Sequence, residues 1–165
     1  MRMILAGCLL AGAAVASEPV IGPDGFGKLR IGMSERQAAR ALGVPLLVGG
    51  EGRNADCYHV QPARGPVALA IMLQKNRVVR VSNYGDEGPM RSDHGIRIGD
   101  SEAVVLRAYA TPPQRSLHAY GDGVHDVYLT WWRKDGRGVR YEITGGKVTA
   151  MHGGSDAIEL VEGCS

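Results

Sequence analysis

Apolar positions recur every three to four residues in two short stretches and every second residue through much of the remainder, which predicts two brief helices set among strands. The first helical stretch follows Ser34, carries Ala38, Ala41 and Leu42 on one side, and ends at Gly43 with Pro45 beyond it. The second follows Ser101, carries Val104, Val105, Ala108 and Tyr109, and stops before Pro112 and Pro113. After each helix the period changes to two. Cys57 to Val60, Val67 to Gln74 and Val78 to Asn83 read as strands, the last two joined by a tight hairpin at Lys75-Asn76-Arg77. Val124 to Arg133, Gly138 to Thr144 and Val148 to His152 repeat that order, with turns at Asp135-Gly136 and Gly145-Gly146.

The two halves share sequence as well as pattern. Leu29 to Gly43 laid over Ile96 to Ala110, at a constant offset of 67 residues, gives seven identities in fifteen positions. Each copy has a turn-permitting glycine, Gly32 or Gly99, then a serine, Ser34 or Ser101, in the place of a helix N-cap. Glu35 and Glu102 follow in the first turn, where the exposed amides favour a carboxylate. The expected architecture is α+β: two tandem repeats, each a short helical segment followed by an antiparallel β-meander, spanning residues 17–88 and 89–165. Each unit is small enough that its core alone is marginal, so pairing of the units is expected to supply stability.

Ile31-Gly32-Met33-Ser34-Glu35, continuing to Leu42-Gly43-Val44-Pro45, resembles the helix-start and L-G-x-P signature of the SmpA/OmlA-type small outer-membrane lipoproteins. The second copy, Ile98-Gly99-Asp100-Ser101-Glu102, keeps the glycine and the serine and lacks the L-G-x-P ending. Two such units in one chain are similar in plan to the beta-lactamase inhibitory proteins. That resemblance implies a sheet that grips another protein, whereas the lipoprotein resemblance implies a structural role in the cell envelope.

Residues 1–16 bring in the compartment. A single cation, Arg2, precedes an apolar run from Met3 to Val15 that closes on Ala14-Val15-Ala16, the form of a secretory signal peptide. A periplasmic or secreted protein is therefore expected, with membrane association only if Cys8, in Leu5-Ala6-Gly7-Cys8, is lipidated. Cys57 and Cys164 remain beyond that leader and are expected to pair in an oxidising compartment. No C-x-x-C supports redox catalysis. A net charge of +2, from 19 basic and 17 acidic residues without a basic run, argues against nucleic acid as a partner.

Candidate chemistry is sparse. Ser92-Asp93-His94 holds the residue types of a nucleophilic triad, but sequence neighbours rarely converge as nucleophile, base and orienter, and the segment reads as a polar linker. His59, His94, His118, His125 and His152 are scattered without metal-ligand spacing, and Asp122 and Asp126 lack the further oxygens of a calcium loop. No catalytic residue, metal or cofactor is assigned. Alternation puts Val127, Leu129, Trp131, Val139, Tyr141 and Ile143 on the core face of the second meander. Tyr128, Thr130, Trp132, Arg140 and Glu142 fall on the opposite, open face. Tyr, Trp and Arg are the types that anchor interfaces, so Tyr128, Trp132, Arg140 and Glu142 are the expected contact for a protein partner. The equivalent face of the first meander, Ala68, Ala70 and Met72, is small and smooth and suits contact between repeats. The function expected is an exported, non-catalytic protein-binding module, inhibitor-like in plan, with a structural envelope protein as the alternative.

Overall fold

The computed structural model describes residues 18, 20–49, 56–65, 68–85 and 89–164. The apolar leader and Cys8 lie outside the described residues. The chain opens with three very short strands, β1 (Ile21–Gly22), β2 (Gly25–Phe26) and β3 (Leu29–Arg30), followed by α1 (Glu35–Leu42). Next come β4 (Leu46–Val48), β5 (Cys57–Pro62), β6 (Leu69–Gln74) and β7 (Arg77–Asn83). The second half runs α2 (Glu102–Ala108), β8 (Gln114–Leu117), β9 (Val127–Trp132), β10 (Gly138–Thr144) and β11 (Lys147–Gly154), and ends in a 3-10 turn (Asp156–Glu159).

Both helices start from one backbone device. Gly32 and Gly99 each take φ +90°, which a side chain would resist. Their N–H groups donate to Val78 O (2.7 Å) and Val148 O (2.8 Å), while the amides of Val78 and Val148 donate back to Met33 O and Asp100 O. Each helix start is thus bonded to the first turn of the last strand in its own half. Ser34 closes a full capping box, accepting from the Gln37 amide while the Gln37 side chain accepts from the Ser34 amide. Gly43 then ends α1 in the left-handed region. The equivalent side-chain cap expected at Ser101 is absent. There the Val104 N–H bonds the Ser101 carbonyl instead, so the donor that the hydroxyl needs is already taken.

Strands β4 to β11 form one sheet in the order β4-β5-β6-β7-β11-β10-β9-β8, with every neighbouring pair antiparallel. The order is palindromic. The last strand of each meander meets the other at the centre, Ser82 opposite His152 and Val81 opposite Gly153. The central hairpins each carry a register shift, between Met72 and Leu73 and between Glu142 and Ile143. In place of the expected contact between repeats through Ala68, Ala70 and Met72, the repeats join by edge-to-edge pairing of β7 with β11. This continues the hydrogen-bond ladder where two open strand edges would otherwise be left.

The core lies on the helix side of the sheet. Leu69, Ile71, Leu73, Val78, Val81, Val127, Leu129, Val139, Tyr141, Ile143 and Met151 are buried there with Ala38 of α1 and Val105 of α2, and Trp131 packs against them. The β1–β3 ribbon adds Ile21, Phe26 and Leu29 to this core, with β3 against α1 and β1 and β2 against β11. At Gly153 a Cβ would run into the Gly22 carbonyl, so glycine is what lets β1 cross β11 at this distance. Ser92, expected in a linker, is buried and accepts the amides of His94 and Ile96, which makes the Ser92-Asp93-His94 segment a turn. Cys57 and Cys164 are disulfide-bonded, with Cα atoms 5.4 Å apart and a sequence separation of 107. Among the described residues no helix is long and apolar enough to cross a membrane.

Candidate partner-binding face

The second face of the sheet is largely polar because of its pleat: in β7, β9, β10 and β11 most of the residues alternating with the core are charged, hydroxylic or aromatic. Register aligns them in rows. Thr130, Arg140, His152, Ser82 and Ala70 stand across one row, and Tyr128, Glu142 and Ala150 across the next. This face is not open, which corrects the expectation from alternation. The chain beyond β11 turns back over it. Ala157 and Ile158 are buried, and the Arg80 guanidinium donates to Ala157 O (3.1 Å) and Leu160 O (2.7 Å). Tyr120, in the loop after β8, bonds Glu162 of the returning segment. The disulfide pins the far end of that segment to β5. A tail of this kind has no periodicity to reveal it; only the pairing of the penultimate residue, Cys164, marks it in the sequence.

Beneath this cover Glu142 is the hub. One oxygen lies 2.9 Å from His152 Nε2 and the other 3.3 Å from His118 Nε2. His152 Nδ1 is 2.8 Å from Ser82 Oγ. The tautomer that satisfies all of these carries its hydrogen on Nε2, donates to Glu142, and accepts the Ser82 hydroxyl on Nδ1. Burial pushes the His152 pKa below the ordinary imidazole value against the opposing pull of Glu142. Burial alone would raise Glu142, but its bonds to His152 and His118 outweigh that and hold it below the usual carboxylate value. Ser82, His152 and Glu142 thus reproduce the residue types of a hydrolytic triad. Ser82 is only 2% exposed, and its hydroxyl is bonded to His152 Nδ1. This is a satisfied buried network, which specifies the register of β7, β11 and β10.

The four residues expected to meet a partner have unequal positions. Glu142 is committed to the two histidines. Tyr128 is buried, its hydroxyl accepting the Ala119 amide and its ring stacked on His118 at 4.5 Å. Trp132 is half-buried, lying over Gly138, where a Cβ would collide with its ring and approach Ile158. Arg140 is 7% exposed and sits 3.6 Å over the Tyr128 ring. Among the described residues its guanidinium makes no hydrogen bond or ion pair, and its Nε is sealed from solvent. Burial lowers its pKa, Tyr128, Glu159 and Glu142 oppose that, and Arg80 adds to it. The remaining motif residues, Gly32, Ser34, Gly99 and Ser101, lie at the helix starts and are structural.

No family model and no curated protein matches this chain. A solved structure, the uncharacterized protein yfeY from Escherichia coli, is similar at 16% identity and a TM-score of 0.42, over 81% of this chain and 98% of that one.

The histidines beyond this face are separate. His94 stacks on Tyr109 at 4.0 Å, and His125 bonds Asp122, whose carboxylate also accepts the amides of Val124, His125 and Asp126 and is held well below its ordinary range. That carboxylate is fully used within its own loop. Among the described residues no group of three or more His, Cys, Asp or Glu is arranged to hold a metal ion.

Proposed function

We propose that this chain is an exported, non-catalytic protein-binding module that meets its partner at the rim of the covered sheet face. The observation that carries this reading is that four of the eight exposed large apolar side chains among the described residues lie round this face, the other four being Leu47, Val48, Leu117 and Val124 on or beside the two edge strands. Tyr120 is 68% exposed, and Tyr84, Leu160 and Val161 are also exposed. All four border the segment that crosses the face: Tyr84 accepts from Arg80, Tyr120 bonds Glu162, and Leu160 and Val161 belong to the segment itself. Exposed aromatic and aliphatic groups gathered round a polar, cation-bearing centre, with half-buried Trp132 beside it, are the composition of an interface.

The disulfide, together with the lack of a long apolar helix among the described residues, is compatible with export. We further read the two halves as copies of one helix-plus-meander unit. The paired glycine turns at Gly32 and Gly99, the matching bonds to Val78 and Val148, and the palindromic strand order support that reading. The test is affinity capture by the oxidised chain from an envelope extract of its own organism, with Trp132→Ala and Tyr120→Ala as controls. A protein captured by the parent and lost in both variants is the expected result. Capture that is indifferent to both substitutions contradicts the reading.

A further inference from the structure

We infer that Arg140 is the docking point for a carboxylate of the partner, so that the chain recognises an acidic segment; this rests on the partner-binding reading above. A guanidinium has five N–H donors and no acceptor, and buried cations in folded proteins are paired. Arg140 is more than nine-tenths buried, yet among the described residues none of its donors has a partner. Its close described contact is with the Tyr128 ring, 3.6 Å from its central carbon, and a ring contact of this kind uses none of its N–H donors.

The hydrogen-bond acceptors on this face point the same way. Two guanidiniums, Arg80 and Arg140, are buried here. Among the described residues Arg80 donates to neutral oxygens of Ala157, Leu160 and Tyr84 and to no carboxylate. The carboxylate within reach, half-buried Glu142, has both oxygens turned to His118 and His152. Glu159 lies near enough to Arg140 to influence it but is exposed and makes no bond to it. The Arg140 guanidinium is therefore left without an acceptor among the described residues, and a planar, bidentate carboxylate is the group that a guanidinium edge pairs with best. A partner's Asp or Glu would enter beside Trp132 and meet the rim of Tyr120 and Leu160 around it.

The probe is a five-residue acidic peptide with capped ends, compared with its counterpart in which every Asp and Glu is Asn or Gln. Both are titrated into the oxidised, isotope-labelled protein while the Trp132 indole and the Ala119, Tyr128 and Arg140 amides are followed by NMR. The acidic peptide is expected to shift these signals saturably in the millimolar range or below, and the neutral one to leave them in place. Arg140→Gln is expected to weaken binding at least about tenfold, and Arg140→Lys, which keeps the charge and loses the fork, to fall between. Glu159→Gln removes a competing carboxylate without touching Arg140 and is expected to tighten binding severalfold. A thermal melt confirms that each variant is folded. Equal response to both peptides, undiminished binding by folded Arg140→Gln, or no saturable shift at millimolar peptide overturns the assignment. In the capture experiment, a partner lost with Trp132→Ala but retained with Arg140→Gln sinks the carboxylate site and leaves the binding reading standing; a partner retained with Trp132→Ala and Tyr120→Ala sinks the reading itself.

Discussion

Removing the disulfide tests what holds the cover on the sheet. Cys57 and Cys164 are 107 residues apart, and in the chain-entropy view closing a loop of that length removes about 4.8 kcal/mol of freedom from the unfolded chain at 25 °C. The folded state loses little when the bond goes, because the segment is also held by the buried side chains of Ala157 and Ile158 and by two Arg80 bonds to its carbonyls. The Cys57→Ser/Cys164→Ser variant is therefore expected to fold, to lose up to about 4.8 kcal/mol, and to melt roughly 10–20 °C lower. Urea unfolding followed by tryptophan fluorescence measures the loss, and the slope with denaturant is expected to rise because the unlinked chain exposes more surface. Hydrogen exchange is expected to quicken at residues 161–164 and to stay slow at Ile158. A loss below about 1 kcal/mol at unchanged slope would refute the reasoning, since it would mean that the unfolded chain gains no freedom from cutting a loop that spans most of the protein.

The capping difference between the helices is open to direct comparison: Ser34→Ala is expected to cost about 1 kcal/mol and Ser101→Ala close to nothing by chemical denaturation, because only Ser34 accepts an amide. Glu142→Gln, which weakens the acceptor shared by two histidines, is expected to cost about 1–3 kcal/mol, measured in the same way. Stability is expected to fall as the pH drops from about 7 to about 5. His152 is kept neutral by burial, with its folded pKa below the unfolded one, so in that window the unfolded chain takes up a proton that the fold refuses; a flat stability profile there contradicts its neutral burial. Gly153→Ala is expected to displace β1 and cost more than about 2 kcal/mol in an unfolding experiment, because its Cβ meets the Gly22 carbonyl rather than a movable side chain.

What the sequence made legible follows physical scale. Where a pattern runs for six or more residues it predicts the element: Gly138–Thr144 forms as expected, and Val127, Leu129, Val139, Tyr141 and Ile143 face the core as alternation requires. The stops at Gly43 and the turn at Gly32 are equally plain, because only glycine accepts those conformations cheaply. The two-residue strands of the N-terminal ribbon, β4 and β8 are too short to carry a period, and β8 is exposed throughout, so no alternation marks it. The cover on the second face is illegible for a different reason. Alternation assigns Tyr128 and Arg140 to a side of the sheet, but what covers that side is decided by a ten-residue tail whose hold comes from Arg80, one residue pair of sulfurs and a 3-10 turn. The Glu142 hub was hidden likewise: His118, Glu142, His152 and Ser82 come from four places in the chain, and only strand register brings them together.

Site-specific photo-crosslinking tests the partner-binding reading most directly. A benzophenone amino acid placed at Trp132 or Tyr120 of the oxidised protein, expressed in its own cells and illuminated, is expected to give a discrete crosslinked protein band at both positions. The same residue at Leu47, an exposed position on the far edge strand, is expected to give none. Crosslinks of equal yield at all three positions, or at none of them, would contradict a partner seated on the rim of this face.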